Sequence, residues 1–362
     1  MRYRIRGTLL PHGGQREVFI VDGRFTFEAL EGATSLLEDA FLIPGLVDVH
    51  AHLALASPAP ATASPRERAA ASGQQHAAAG VLALREPGSP DYSATGLGPA
   101  EGLPRIVSAG RFLAPPGRYF PNLAREVEEV GLPDAAEEEL LASGGAWAKI
   151  IGDSPLGGGD GLTRTYSDEA LDEAARRVHA AGGRIAVHCA VPEVIQGAIE
   201  AGFDSLEHAS FLQPDQLAGA AAANVAWVPT LTIGAGIRAM VRELDFSPAA
   251  IRRVEEGLAR QPETLRQAVD AGVTVLAGTD AGMGPHGMVR HEVQLLIQAG
   301  LAPAVALGAA SWTARSWLGL PAIEEGAPAD IVAYRDDPLQ DIAVLANPTL
   351  AFLDGRLIID NR

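Results

Sequence analysis

The stretch RIAVHCAVPEVIQGAIEAGFDSLEH, residues 184–208, decides the fold of this chain. It contains an apolar strand (184–188), a helical segment (191–201), Gly202 as a helix C-cap signal, and a second apolar strand (204–208). A strand, a helix and a strand in this order predict two parallel strands joined by a crossover helix.

The same alternation extends through most of the chain. Helical segments such as 168–181 separate most of the apolar runs, and Gly182 and Gly183 follow that segment as C-cap signals. Eight strand–helix units within residues 45–321 predict a (β/α)8 TIM-type barrel of the α/β class. The eight apolar runs are 46–50, 81–84, 105–108, 147–151, 184–188, 204–208, 226–229 and 273–277.

The two ends of the chain have a different pattern. Strand-like runs at 18–21 and 24–27 flank an Asp22-Gly23 turn, and further runs at 329–334, 349–353 and 357–359 occupy the tail. We expect segments 1–44 and 322–362 to pair into one small β-sandwich domain.

Composition excludes several function classes. The chain has 362 residues, 47% hydrophobic and 20% charged, with a net charge of −17. This charge argues against a nucleic-acid partner and against binding to an anionic membrane. A single cysteine, Cys189, excludes an intrachain disulfide. The chain carries neither the apolar run of a signal peptide nor a membrane span, so we expect a cytoplasmic protein.

Polar side chains gather where the predicted strands end. Alternation along a strand places two residues separated by one on the same face, so the histidines of Val47-Asp-Val-His-Ala-His52 can approach one ion. Four of the nine histidines fall at such positions, which favours a functional cluster over unrelated structural histidines. The predicted metal-ligand cluster is His50, His52, Lys149, His188, His208 and Asp280.

Lys149 is the only lysine among 28 basic residues, and it lies in the apolar run Ala146-Trp-Ala-Lys-Ile-Ile151. Arginine keeps its proton in proteins, whereas a buried lysine can lose it. A neutral amine can react with carbon dioxide to form a carbamate. This position is therefore interpreted as one that requires a deprotonatable amine.

The motifs resemble those of the amidohydrolase superfamily of metal-dependent hydrolases. Pro44-Gly-Leu-Val-Asp-Val-His-Ala-His52 is similar to its opening signature, and Gly326-Ala-Pro-Ala-Asp330 to its closing motif. Trp147-Ala-Lys149 and Val228-Pro-Thr-Leu231 are most similar to the imidazolonepropionase-like and prolidase-like group.

The resemblance implies a carboxylated Lys149 that bridges two metal ions. An anionic bridge would offset the repulsion between two cations held about 3.5–4 Å apart. We assign His50, His52 and Asp280 to the first ion, and His188 and His208 to the second. Zinc suits imidazole and carboxylate ligands with open positions. A bridging hydroxide would attack a carbonyl, and Asp280 would transfer its proton to the leaving nitrogen.

Substrate contacts are harder to predict. Arg118 and Tyr119 replace the Gly-His pair common in prolidase-like relatives; Arg118 either clamps a substrate carboxylate or is a surface arginine. Thr230 is a further candidate, and His286 either contacts substrate or faces solvent. The remaining histidines, including His76, are expected on loops or helix surfaces. Segments 57–65 and 152–161 are either a lid and a substrate loop or plain connections.

The leading hypothesis is a binuclear metal-dependent hydrolase of amide, peptide-like or cyclic amide bonds. Its partner would be a small-molecule substrate, and a homo-oligomer is left open. A mononuclear deaminase of the same fold is the alternative, although such enzymes usually lack the bridging lysine. An inactive scaffold is the third reading, and the intact ligand set argues against it.

Overall fold

The computed structural model describes residues 2–156 and 161–362. Residues 157–160, in the middle of the predicted substrate loop 152–161, lie outside the described residues. No helix in the described ranges combines the length and apolarity needed to cross a membrane.

The chain alternates short strands with helices from residue 46 to residue 228, and strands dominate both ends. The strands are β1 (Arg2–Leu9), β2 (Gly14–Val21), β3 (Arg24–Thr26), β4 (Thr34–Pro44), β5 (Leu46–Asp48), β6 (Val81–Glu86), β7 (Arg105–Ser108), β8 (Phe112–Ala114), β9 (Ala124–Glu126), β10 (Trp147–Ile151), β11 (Asp153–Ser154), β12 (Thr163–Arg164), β13 (Arg184–Cys189), β14 (Ser205–His208), β15 (Ala226–Val228), β16 (Ile331–Tyr334), β17 (Leu350–Leu353) and β18 (Arg356–Asp360). The helices are α1 (Pro65–Ala78), α2 (Leu132–Ala142), α3 (Asp168–Ala180), α4 (Pro192–Glu200), α5 (Leu217–Ala222), α6 (Gly234–Glu243), α7 (Pro248–Asp270), α8 (Val289–Gln298), α9 (Pro303–Ala309) and α10 (Trp312–Trp317).

The two ends of the chain meet in one seven-stranded sheet, ordered β18-β17-β16-β4-β1-β2-β3. Strand β4 pairs antiparallel with β16, with Pro44 opposite Ile331. Asp22 and Gly23 form the predicted turn between β2 and β3, with positive φ angles of 50° and 80°. The pairing of the two termini was predicted; the described strands of this region form one sheet, and a two-layer sandwich stays a prediction.

The middle of the chain forms parallel sheets, as the strand–helix alternation predicts. One sheet has the order β15-β14-β13-β10-β8-β9 and another the order β5-β6-β7. Isolated parallel bridges join the two sheets and the segment that follows α7: Ser89 with Arg111, Trp227 with Val275, and Ala51 with Ala281. These bridges draw the carboxyl ends of the strands toward one another.

Helix α3 illustrates why these segments are helical and which face they bury. The hydroxyl of Ser167 caps the first turn by accepting a hydrogen bond from the Ala170 amide at 3.2 Å. Leu171, Ala174 and Val178 recur at helical spacing and are buried against the core. Gly182, with φ of 82°, follows the helix end in the left-handed conformation that glycine tolerates best.

One predicted strand, 273–277, is not formed, and another, 105–108, has the predicted bounds but does not pair with β10. Residues 273–277 form a single bridge at Val275 rather than a strand, because their hydrogen bonds are divided between Trp227 on one side and Val49 on the other. The third run, 105–108, is β7, but the partner of β10 is the separate strand β8. Gly110, with φ of 71°, turns the chain between these two short strands.

Candidate metal centre

The six predicted ligands line one cavity of about 240 Å³. His50 and His52 follow β5, Lys149 lies in β10, and the other three come from β13, β14 and the segment after α7. They converge because parallel strands of one barrel-like layer end at the same side. The candidate ligands brought together are His50, His52, Lys149, His188, His208 and Asp280.

The tightest part of this cluster surrounds Asp280. Its Oδ1 atom lies 3.3 Å from His50 Nε2 and 3.2 Å from His52 Nε2, and these two nitrogens are 3.2 Å apart. One ligand atom each from His50, His208 and Asp280 lie within 4.8 Å of one another. Two ligands bound at about 2.0–2.1 Å to a tetrahedral zinc are about 3.3 Å apart, so the spacing suits such an ion.

A buried carboxylate holds His50 from behind. Oε2 of Glu207 accepts a hydrogen bond from His50 Nδ1 at 2.5 Å, while its Oε1 accepts one from Arg85 at 2.6 Å. Because Nδ1 carries the proton, the lone pair of Nε2 faces the cavity. Arg85 and Glu207 are both fully buried, so they form an ion pair inside the core.

Glu86 lies behind His52 much as Glu207 lies behind His50. His52 Nδ1 donates to the carbonyl of Gly88 at 2.7 Å and lies 3.2 Å from Glu86 Oε1, whose other oxygen accepts from the Leu53 amide at 2.7 Å. Arg85 and Glu86 point in opposite directions because neighbouring residues of a strand face opposite sides. This alternation lets one strand supply a contact behind His50, through Glu207, and another behind His52.

Thr230 orients His208 and does not line the cavity. Its hydroxyl donates to the carbonyl of Pro229 at 2.8 Å and accepts from His208 Nδ1 at 2.7 Å. Thr230 is buried and adopts a left-handed φ of 48°, a backbone strain often found at functional sites. Thr230 therefore contacts His208, whereas the sequence analysis proposed it as a substrate contact.

Asp153 lies beside His188 and was not singled out from the sequence. Its Oδ2 accepts hydrogen bonds from the amides of Ala190 and Val191 at 2.6 and 2.9 Å. Its Oδ1 lies 4.0 Å from His188 Nε2. Asp153 could have been identified from its position in the sequence, four residues after Lys149 and just beyond the same strand.

Charges in the cluster follow from burial and neighbours. Burial lowers the pKa of the Lys149 amine to about 8, although Glu207 opposes this shift. Burial alone would raise the pKa of Asp280, but His50 and His52 outweigh it and hold this pKa well below its usual range. The site therefore favours a deprotonatable amine beside an ionised carboxylate.

The other predicted substrate contacts occupy different places. Tyr119 lines the cavity, and burial raises the pKa of its phenol, so the hydroxyl stays protonated. Arg118 donates to the carbonyl of Leu156 at 2.8 Å and to Thr163 Oγ1 at 2.7 Å, so its guanidinium ties two loop segments together. Arg118 is therefore neither a clamp for a substrate carboxylate nor a free surface arginine.

His286 also lies behind the site and not on the cavity wall. Its Nε2 donates to the carbonyl of Leu55 at 3.0 Å, and its Nδ1 lies 3.2 Å from Nε2 of His76. Both rings are buried, so the expectation of a surface position for His76 is wrong. His76 falls at helical spacing on the buried face of α1, together with Ala69, Ser72 and Gly73, whose small side chains leave room for its ring.

Comparisons with known proteins agree with this arrangement. A family model described as the amidohydrolase family matches residues 119–358. An uncharacterized protein of Mycobacterium tuberculosis is 36% identical over 357 residues, 98% of this chain and 95% of that protein. The ochratoxinase of Aspergillus niger is 27% identical over 225 residues, 58% of this chain and 43% of the relative.

A solved structure has the same fold. A Xaa-Pro dipeptidase with bound methionine superposes with a TM-score of 0.83 at 22% identity, and the match covers 99% of both chains. At this identity, the likeness concerns the fold alone.

Proposed function

The chain belongs to the amidohydrolase family, hydrolases that act on carbon–nitrogen bonds, and on that premise we propose that it is a binuclear metal-dependent hydrolase of amide bonds. The main support for the proposal is the set of side chains that line the cavity. Four imidazoles, one amine and one carboxylate line a single buried cavity, and hydrogen bonds from behind fix three of the imidazoles. Such a set with fixed tautomers is typical of metal ligands.

His50, His52 and Asp280 would hold the first ion, and His188 and His208 the second. When bound, two such ions lower the pKa of water and polarise the substrate carbonyl. Zinc suits this donor set, since it combines imidazole nitrogen with carboxylate oxygen.

A carbamate on Lys149 would bridge the two proposed metal positions. The neutral amine attacks carbon dioxide, forms a nitrogen–carbon bond and releases one proton, so an uncharged group becomes an anion. Its full burial and lowered pKa support this change, because an ammonium would be repelled by nearby metal ions.

Asp280 would move the proton. Its carboxylate is ionised and lies at the centre of the cluster, so it can accept a proton from the attacking water and deliver it to the leaving nitrogen. Tyr119, protonated and on the same cavity wall, can donate a hydrogen bond to the substrate.

We also propose that residues 45–321 form a closed (β/α)8 barrel and that segments 1–44 and 322–362 form a small domain beside it. Support for closure comes from the bridges at Ser89, Trp227 and Ala51, which connect the two parallel sheets. The antiparallel pairing of β4 with β16 supports the small domain.

Metal counting tests the function. Two zinc ions per chain, together with amide hydrolysis that chelators abolish, would support the proposal. One ion per chain with deaminase activity would favour the mononuclear alternative, for which the compact group of His50, His208 and Asp280 could serve.

Replacement of the lysine tests the bridge. Lys149→Ala should lose at least one ion and most activity, and short carboxylates such as propionate should restore part of both. Cys189→Ala is the matched control, since this buried side chain also lines the cavity but is not a proposed ligand. Two ions retained in Lys149→Ala without added carboxylate would contradict the carbamate.

A further inference from the structure

The wall of the cavity above the metal-ligand cluster is almost entirely apolar. It is formed by large side chains from different elements of the barrel layer and its loops, among them Phe112, Ile151, Phe211, Ile237, Met240 and Leu258. Apolar walls favour apolar ligand groups, because each such contact removes hydrocarbon surface from water.

Helices α6 and α7 provide one side of this wall. They pack against each other through a cluster that includes Val241, Phe246 and Val254. Val241 and Val254 also line the cavity, so the same apolar faces stabilise the helix pair and surround the ligand space.

Cationic side chains are missing from the described part of this wall, apart from Lys149 in the cluster itself. Arg118 is committed to carbonyl and hydroxyl oxygens of the loops, and Arg253 lines an adjoining crevice instead. Residues 157–160 are Gly-Gly-Gly-Asp, which adds no basic side chain.

From these observations we infer that the substrate is an uncharged amide with bulky apolar groups and no free carboxylate next to the scissile bond. A carboxylate moved from water into this wall would lose its hydration without gaining an arginine or lysine partner. The inference rests on the proposed amide hydrolase activity and names its substrate class. It disfavours dipeptides, which carry such a carboxylate.

Gly257 makes room for the ring of Phe211, which lines the cavity. Gly257 lies within α7, and a Cβ atom there would overlap the ring of Phe211, which forms part of the wall. Glycine costs stability inside a helix, so its presence here is explained by the space that it gives to the ring.

A matched pair of compounds tests the inference. N-hexanoyl-isoamylamine and N-hexanoyl-leucine share the acyl group, the amide bond and the branched chain, and differ by one carboxylate. Zinc-loaded protein should bind the isoamylamine compound at least tenfold more tightly by calorimetry and hydrolyse it with at least tenfold higher kcat/KM. Equal or tighter binding of the leucine compound, or binding of neither, overturns the inference.

Different results would contradict the proposed function and the proposed substrate class. Hydrolysis with a preference for the leucine compound keeps the proposed function and removes the substrate class. Preferred binding of the isoamylamine compound without hydrolysis supports the cavity chemistry and contradicts the proposed function.

Variants of the wall give a second readout. Gly257→Ala should weaken binding of N-hexanoyl-isoamylamine at least fivefold, because the ring must leave its position; Phe211→Ala should weaken it through lost contact. Gly219→Ala is the control, since its Cβ would meet only Ile199 Cγ2 at an ordinary 3.5 Å. Unchanged affinity in both cavity variants would remove this wall from the binding site.

Discussion

Nδ1 of His50 lies 2.5 Å from Oε2 of Glu207, and this contact joins the end of β5 to the end of β14. Glu207 is fully buried and also accepts hydrogen bonds from Arg85 and from the Ser205 hydroxyl. Arg85 and His50 hold its pKa well below the usual range against the effect of burial. A carboxylate behind His50 fixes the tautomer that presents Nε2 to the candidate metal site.

Replacement of this carboxylate should weaken the metal site. In Glu207→Gln, we expect zinc affinity to fall by about 10- to 100-fold, because His50 loses its charged acceptor. Chelator competition measures the dissociation constant. Glu17→Gln, which changes an exposed ion pair with Arg4, serves as the control. Unchanged zinc affinity in Glu207→Gln would show that the contact has no role in orienting His50.

Asp280 should matter more for turnover than for metal content. Asp280→Asn keeps the shape and an oxygen ligand but removes the base, so kcat should fall by about 10²- to 10⁴-fold with most metal retained. Metal analysis and steady-state kinetics on the same sample check this. Asp215→Asn, an exposed position, should behave as the unmodified protein. Near-normal kcat in Asp280→Asn would remove Asp280 from proton transfer.

Asp330 should be important for stability. It is buried, accepts from Arg315 at 2.9 Å and from Arg105 at 2.6 Å, and so joins the terminal sheet to α10 and β7. Asp330→Asn leaves the buried Arg315 without its counterion and should reduce the free energy of unfolding by about 3–5 kcal/mol. Urea denaturation measures the change.

The control for Asp330 is a partly exposed carboxylate. Asp360 pairs with Arg362 at the end of β18, and Asp360→Asn should change the free energy of unfolding by less than about 0.5 kcal/mol. Equal effects of the two substitutions would contradict the importance of burial.

Glu292 should make stability depend on pH. Burial raises the pKa of this carboxyl to about 8, above its unfolded value, although its hydrogen bonds with the Leu231 and Thr232 amides oppose the shift. The folded protein then retains a proton that the unfolded chain loses. This contribution to stability is complete below the unfolded pKa of about 4.3 and is lost as pH rises through about 8.

Glu292→Gln isolates that contribution. Between pH 5 and pH 9, the variant should lose less unfolding free energy than the unmodified protein in urea titrations. Glu256→Gln changes an exposed glutamate on α7 and should keep the original pH dependence. Parallel pH profiles for all three proteins would show that Glu292 titrates normally.

Local sequence patterns predicted much of the fold. The run 147–151 is a strand with the predicted bounds, and helix 168–181 differs from α3 by one residue. The motif resemblance to the amidohydrolase family is confirmed by the family match. Residues 273–277 were predicted less well, because bonding to strands on both sides depends on neighbours that are distant in sequence.

The sequence by itself determined which chemical groups stand at the strand ends, since apolar runs and their polar termini are local features. Only the tertiary structure decided what lies behind them. Alternation would place Glu207 and His208 on opposite faces, yet both contact the same cluster, because His208 adopts a left-handed φ of 65° at the strand end.

The contacts of Arg118 and His76 also depend on the tertiary structure. Neither residue's neighbours in sequence indicate that the arginine binds loop carbonyls or that the histidine is buried beside His286. Periodicity records which face of an element is apolar, whereas the partners of a polar group depend on the packing of elements far apart in the chain. The six candidate ligands that line the cavity were therefore predictable from the sequence, whereas their supporting contacts and the apolar wall were not.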